Sequence, residues 1–161
     1  LDVGEIGEIV FKSPTNTIGY LKNDDETNQS IKNGWLKTGD LGYLDEDGYI
    51  FIVDRKKALI IRGGENISCL EVENALDKYD DVIESCVCGI FDEKLGEIVG
   101  ALIYTDQNID LTILKKFLSK YLADYKIPVI FKFINKPLPR IASEKLDRVE
   151  IKKILSDHSN G

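Results

Sequence analysis

Four short stretches of the sequence set reactive or hydrogen-bonding side chains beside residues that let a ligand come close: Gly34-Trp35-Leu36-Lys37-Thr38-Gly39-Asp40, Asp54-Arg55-Lys56-Lys57, Arg62-Gly63-Gly64-Glu65-Asn66-Ile67 and Leu138-Pro139-Arg140-Ile141-Ala142-Ser143-Glu144-Lys145-Leu146. Asp40 follows Thr38-Gly39, a turn-forming pair, and a carboxylate there accepts two hydrogen bonds, the number a vicinal diol such as a ribose offers. Arg55 brings a planar fork of donors suited to sugar hydroxyls or phosphate. Gly63-Gly64 lets a ligand approach the backbone and leaves amides free for its polar groups. Lys145, in a Ser-containing loop after a Pro-rich stretch, is a cation that can be delivered onto a carboxylate and a phosphate. Each stretch alone has a plainer alternative: a capping Asp in a turn, a surface ion pair, a hairpin exit, one solvated lysine among many.

The elements that must carry these residues follow from pattern and turn chemistry. Gly7-Glu8-Ile9-Val10-Phe11 reads as a strand. Residues 40–44 and 49–53 read as a hairpin around Asp45-Glu46-Asp47-Gly48. Ala58-Leu59-Ile60-Ile61 is a further strand closed by Gly63-Gly64. Ser68 with Glu71 makes a capping box, and Val72, Ala75, Leu76 and Tyr79 recur at helical spacing behind it. Residues 82–90 and 97–104 are apolar strands. Asp110 caps a helix that turns Leu111, Leu114, Leu118, Tyr121 and Leu122 inward. Pro128 ends that region; a strand over Val129 to Ile134 and a short helix over 147–155 complete the order. The expectation is an α+β fold: a small domain whose three-stranded sheet is covered by helices, with a β-hairpin, preceded by a β-rich segment. The charge pattern shifts near Asp54: residues 1–53 hold 4 Lys against 10 acids, and residues 54–161 hold 17 Lys+Arg against 18 acids. That places a domain boundary there, giving 1–53 and 54–161. Residues 110–153 carry 11 bases against 5 acids, a local excess that suits a phosphate-bearing ligand but that composition alone assigns first to a solvated helix face and a basic tail.

Composition excludes several classes. The 161 residues, 43% apolar and 30% charged, have the balance of a folded domain. A net charge of −7 argues against nucleic acid or an anionic membrane as partner. The single histidine, His158, sits three residues from the end, so a histidine triad and a zinc site are not expected, and no metal ligands are assigned. Three cysteines, Cys69, Cys86 and Cys88, without paired spacing point to a reduced cytoplasmic location, with Cys86 and Cys88 as small buried residues on one face of a strand rather than a redox pair. No apolar run reaches the roughly 18 residues of a membrane span. With no methionine and an opening directly into a loop that feeds a strand, the chain reads as a piece of a longer polypeptide.

In this order and spacing the four stretches resemble the C-terminal region of the adenylate-forming superfamily, the acyl-CoA synthetases with their relatives among carrier-protein ligases and luciferases. The resemblance covers nearly the whole chain, with Gly4-Glu5-Ile6-Gly7-Glu8-Ile9 inside it. It implies that residues 1–53 end a large N-terminal AMP-binding domain and that residues 54–161 are the mobile C-terminal lid. It implies roles by position: Asp40 and Arg55 hold the ATP or AMP ribose, Lys57 is the hinge, Gly63, Gly64, Glu65 and Asn66 form the loop lining the CoA pantetheine channel, and Lys145 is the catalytic lysine of adenylation. The family usually reads Ser-Gly-Lys where this chain has Ser143-Glu144-Lys145. The implied reaction is that of an ATP-dependent ligase activating a carboxylic acid as acyl-AMP and passing it to the CoA thiol. ATP and Mg2+ would be held through the N-terminal domain, CoA would be the acceptor, and this fragment alone would be inactive, since no Gly/Ser/Thr-rich phosphate loop is present. A carrier-protein or fatty-acyl-AMP ligase, and a non-catalytic lid-like binding module, are the alternatives.

Overall fold

The computed structural model describes residues 1–157; His158 lies outside the described residues. The chain forms two compact units, Leu1–Lys57 and Ala58–Gly161.

In the first unit, strand β1 (Gly7–Phe11) is followed by helix α1 (Asp24–Ser30), a short strand β2 (Ile31–Lys32), the long strand β3 (Trp35–Leu44) and strand β4 (Ile50–Arg55). β3 is the centre of a four-stranded sheet, antiparallel to β1 on one side and to β2 and β4 on the other. The turn between β3 and β4 forms as its residues dictate: Asp45 Oδ1 accepts the amides of Asp47 and Tyr49 at 3.0 and 2.8 Å, and Gly48 adopts φ +82°. Tyr43 and Phe51 stack across the hairpin with ring centroids 5.3 Å apart. Helix α1, started by Asn23 accepting from the Glu26 amide, has no counterpart in the sequence expectations.

The second unit holds a five-stranded sheet. Strands β5 (Leu59–Arg62) and β6 (Glu65–Ser68) form a hairpin, and helix α2 (Cys69–Leu76) follows at once. Strands β7 (Glu84–Asp92) and β8 (Gly96–Tyr104) pair antiparallel along nine residues. Helix α3 (Leu111–Leu118) leads to β9 (Ile130–Ile134), which runs parallel to β8, and helix α4 (Arg148–Ser156) ends the unit. β7, β8 and β9 are the three strands the sequence leads one to expect; the β5–β6 hairpin extends that sheet through the Arg62–Gly96 pairing. One face buries Val87, Val99, Ala101 and Ile103 against Val72 and Leu76 of α2 and Leu114 and Leu118 of α3. The other buries Cys86, Cys88, Ile90 and Leu102 against Ile151 and Leu155 of α4. The helix caps are the expected ones: Ser68 accepts from the Glu71 amide, and Asp110 from those of Thr112 and Ile113. Two details differ from expectation. Leu111 and Tyr121 are 41% and 50% exposed, and of the five residues expected inward Leu114, Leu118 and Leu122 reach the core. Tyr79 lies beyond the end of α2 and packs edge-on against Phe117.

Helix α4 is held to the sheet at both ends. Arg148 donates to the carbonyl of Val87 on β7 at 2.9 Å. Lys132 on β9 donates to the carbonyls of Ile154 and Asp157 at 2.6 and 2.7 Å, taking up acceptors that a helix C-terminus leaves open.

Candidate functional site

Asp40 and Arg55 face each other across β3 and β4, with Arg55 Nε 2.9 Å from Asp40 Oδ1. A bulge makes this pairing. Near the turn the register sets Leu44 opposite Ile50 and Gly42 opposite Ile52; continued without a break it would set Asp40 opposite Asp54, two like charges. The irregularity between Leu41 and Gly42 moves the register by one residue and brings Arg55 opposite Asp40. Glycine permits it, because a Cβ on residue 42 would lie 2.5 Å from the Phe51 carbonyl oxygen. Thr38 fixes the approach to the pair: its hydroxyl donates to the Ile9 carbonyl at 2.8 Å and accepts the Asp40 amide at 3.0 Å, while Gly39 takes φ +74°. The Asp40 side chain is 24% exposed and that of Arg55 73%, so the pair presents an acceptor and a donor fork to the surface. Beside it an open cleft of about 820 Å3 is lined by Tyr20, Gln29, Lys37, Thr38, Gly39 and Arg55 among others.

Lys57, the expected hinge, closes the first unit within the 3-10 turn Lys56–Ala58. Directly after it, Gly63 and Gly64 are the two-residue turn of the β5–β6 hairpin, with φ +58° and +93°, both positive as a tight hairpin turn of this length requires. Glu65 and Asn66, expected in a loop with them, are instead the first two residues of β6, since Arg62 pairs with Glu65 and Ile61 with Asn66. The turn is anchored by the Gly63 amide donating to the Leu95 carbonyl at 2.8 Å and by Arg62 donating to the Tyr125 carbonyl. Lys126 reaches both oxygens of Glu71 at 2.7 and 2.8 Å, tying the same connection to the first turn of α2.

Lys145 is exposed at the end of a small hairpin. Arg140 bridges to Leu146, the Ile141 amide donates to the Lys145 carbonyl at 2.9 Å, and the Glu144 amide donates to the Ile141 carbonyl at 2.9 Å. Glu144 sits at φ +63°, in the left-handed region where glycine is at ease. Among the described residues no ion pair joins Glu144 to Lys145. Cys86 and Cys88 are buried on the α4 side of the sheet. The hydrogen bond with Cys88, with burial, holds the Cys86 thiol well above the usual thiol range, and that same bond lowers Cys88 against its burial.

Two side-chain pairs near these residues have no local signal in the sequence. Glu84 binds Arg140, 56 positions away, and Glu73 binds Arg148, 75 positions away. Among the described residues no three His, Cys, Asp or Glu side chains cluster as a metal cage. Among the described residues no helix is long and apolar enough to cross a membrane.

Residues 71–145 match the family described as the AMP-binding enzyme C-terminal domain. The chain is 43% identical over 159 residues to a 2-succinylbenzoate--CoA ligase of Geobacillus sp. (strain WCH70), covering 98% of this chain and 32% of that protein. It is 45% identical over 145 residues to a 2-succinylbenzoate--CoA ligase of Bacillus licheniformis, covering 90% and 30%. Among solved structures it resembles the o-succinylbenzoate CoA synthetase of Bacillus subtilis in complex with its acyl-adenylate intermediate, with TM-score 0.86 and 40% identity over 94% of this chain and 31% of that one. ATP-bound MatB of Rhodopseudomonas palustris superposes with TM-score 0.88 at 32% identity, over 99% and 32%. The chain thus spans about a third of the length of the relatives it matches. It belongs to the adenylate-forming AMP-binding enzymes and corresponds to the C-terminal part of such an enzyme.

Proposed function

We propose that this chain supplies the ribose-gripping strand pair and the mobile lid of an ATP-dependent, AMP-forming CoA ligase whose acid is 2-succinylbenzoate or a close aromatic dicarboxylate. The observation that carries the reading is the 43% identity over 159 residues to a 2-succinylbenzoate--CoA ligase, which runs through all four chemistry-bearing stretches. In the first half-reaction the acid carboxylate attacks the α-phosphorus of ATP, forming acyl-AMP and releasing pyrophosphate. Asp40 accepts from the ribose hydroxyls and Arg55 donates to the same sugar, fixing the nucleotide. Lys145 places its ammonium between the carboxylate and the α-phosphate, where charge grows in the transition state, an effect typically worth about 3 kcal/mol or more in a preorganised site. The lid then turns about Lys57. The Gly63-Gly64 turn, which has no side chains, replaces Lys145 and leaves room for the pantetheine arm; the CoA thiol attacks the acyl carbon and AMP leaves. Magnesium, ATP phosphates and the acyl group are assigned to the N-terminal domain of the full-length protein, and the cytoplasm to its location. The isolated chain is inactive in adenylation.

The test is made on the full-length protein. It should catalyse ATP–pyrophosphate exchange with 2-succinylbenzoate and, with CoA, release its CoA thioester and AMP. Exchange with another acid only would overturn the substrate; exchange without thioester would indicate a different acceptor; no exchange with any acid would overturn the ligase reading.

A further inference from the structure

The hairpin that carries Lys145 is braced by a side chain that none of the roles above uses. Arg140 stands at its base, opposite Leu146. One guanidinium nitrogen of Arg140 donates to the carbonyl of Glu144 at 2.7 Å, the peptide immediately before Lys145. Another donates to Glu84 Oε1 at the start of β7. The second oxygen of Glu84 accepts the amide of Leu138 at 3.4 Å, and Leu138 is buried against the core under α4. The Asp147 amide closes the far side on the Pro139 carbonyl at 2.8 Å. Among the described residues a hydrogen-bonded side-chain path therefore runs from the tip of this hairpin to the sheet, from the Glu144 carbonyl through Arg140 to Glu84.

We propose that Arg140 and Glu84 are positioning residues for Lys145: by tying the peptide before the lysine to β7, they present the ammonium on a preformed hairpin instead of a loose tail. The inference rests on Lys145 acting in adenylation. A flexible lysine would have to be ordered at each turnover, and a displacement of about 1 Å at a reacting centre can cost about 100-fold in rate. Arginine suits the task because its rigid fork satisfies two acceptors at once, whereas a lysine at 140 reaches them from a single nitrogen. The Arg140–Glu84 pair is partly exposed, 39% and 26%, so it adds little to folding and its loss is read in activity.

The experiment uses the full-length ligase and measures the two half-reactions separately: pyrophosphate exchange, and thioester formation from supplied acyl adenylate and CoA. Arg140→Gln is expected to lower kcat for adenylation about tenfold or more with KM for ATP and acid within about twofold, and to leave the thioester step and the melting temperature unchanged. Glu84→Gln moves the same parameter less, and Arg140→Lys recovers part of the loss. In a Lys145→Ala background Arg140→Gln causes no further fall, because it acts through the lysine. The proposal is overturned if Arg140→Gln leaves adenylation within twofold of wild type, lowers both half-reactions alike, or still lowers adenylation in the Lys145→Ala protein. If Lys145→Ala itself adenylates normally, it is the assignment of the lysine that fails, a result distinct from any of these.

Discussion

Glu73 and Arg148 meet at 3.0 Å over the open edge of β7, and between them they satisfy both outward-facing backbone groups of one residue. Glu73 Oε1 accepts the Val87 amide at 2.8 Å, and Arg148 donates to the Val87 carbonyl at 2.9 Å. An edge strand offers such groups to any other chain, and here an ion pair from two helices on opposite faces covers them. Burial opposes the charge of Arg148, but the Glu73 carboxylate beside it helps to raise its pKa on balance.

Arg148→Met removes the guanidinium that donates to Glu73, whose side chain is only 11% exposed. The expected cost is about 1–2 kcal/mol, since a partly exposed arginine is removed from its hydrogen bonds to a buried carboxylate and to the Val87 carbonyl. Urea unfolding of the 161-residue chain reads it as a lowered midpoint, and the Val87 amide should exchange faster with solvent.

Glu144→Gly should do the opposite. A side chain at φ +63° costs about 1–2 kcal/mol relative to glycine, and the greater freedom of glycine in the unfolded chain takes back about 0.5–1 kcal/mol. The net expectation is a stabilisation of about 0.5 kcal/mol in the same unfolding assay. A destabilised Glu144→Gly chain would mean that the glutamate side chain makes up for its backbone.

Gly64→Val isolates the backbone demand of the hairpin turn, because a Cβ at residue 64 meets nothing within 4 Å. The strain of a β-branched residue at φ +93° should cost about 1–2 kcal/mol in stability. In the full-length enzyme the thioester step should fall while pyrophosphate exchange is preserved, the reverse of Lys145→Ala.

Asp40→Ala should weaken AMP binding by the full-length protein about 10- to 100-fold, the loss of hydrogen bonds to a charged acceptor. Calorimetry with AMP measures it, and 2′-deoxy-AMP should lose its disadvantage against the variant.

Asp92 gives a pH signature. Hydrogen bonds from the Leu95 and Lys94 amides to its carboxylate hold its pKa below the usual range. A carboxylate whose folded value is depressed contributes stability above its unfolded value and loses it as pH falls through the folded one. Carbon-detected NMR titration should place Asp92 below ordinary aspartates, and Asp92→Asn should remove that part of the acid sensitivity.

Local chemistry made much of the fold legible. Ser68 and Asp110 cap the helices their sequences announce, and Asp45 to Gly48 turn the hairpin, because each depends on residues within a few positions. Helix α1 was not legible: Asp24–Ser30 contains no apolar residue to mark a face, and its signal is one Asn cap. The Asp40–Arg55 pair could be expected from the roles its residues resemble, but not from hairpin counting, which a bulge at Gly42 displaces by one. Glu84 with Arg140, and Glu73 with Arg148, were out of reach for another reason. In a chain with 28 acids and 21 bases, spacing does not say which carboxylate meets which cation once the strands assemble.

Helix α4 behaves as a beam clamped at both supports, fixed to β7 by its first residue and to β9 by Lys132 under its last turn. Such a beam neither slides along its axis nor pivots about one end. Because the Lys145 hairpin runs straight into the clamped end, a force on the lysine is passed to two outer strands of the sheet at once. The lysine and the sheet are then one piece, and the lid rotation proposed above would move the lysine with no slack to take up.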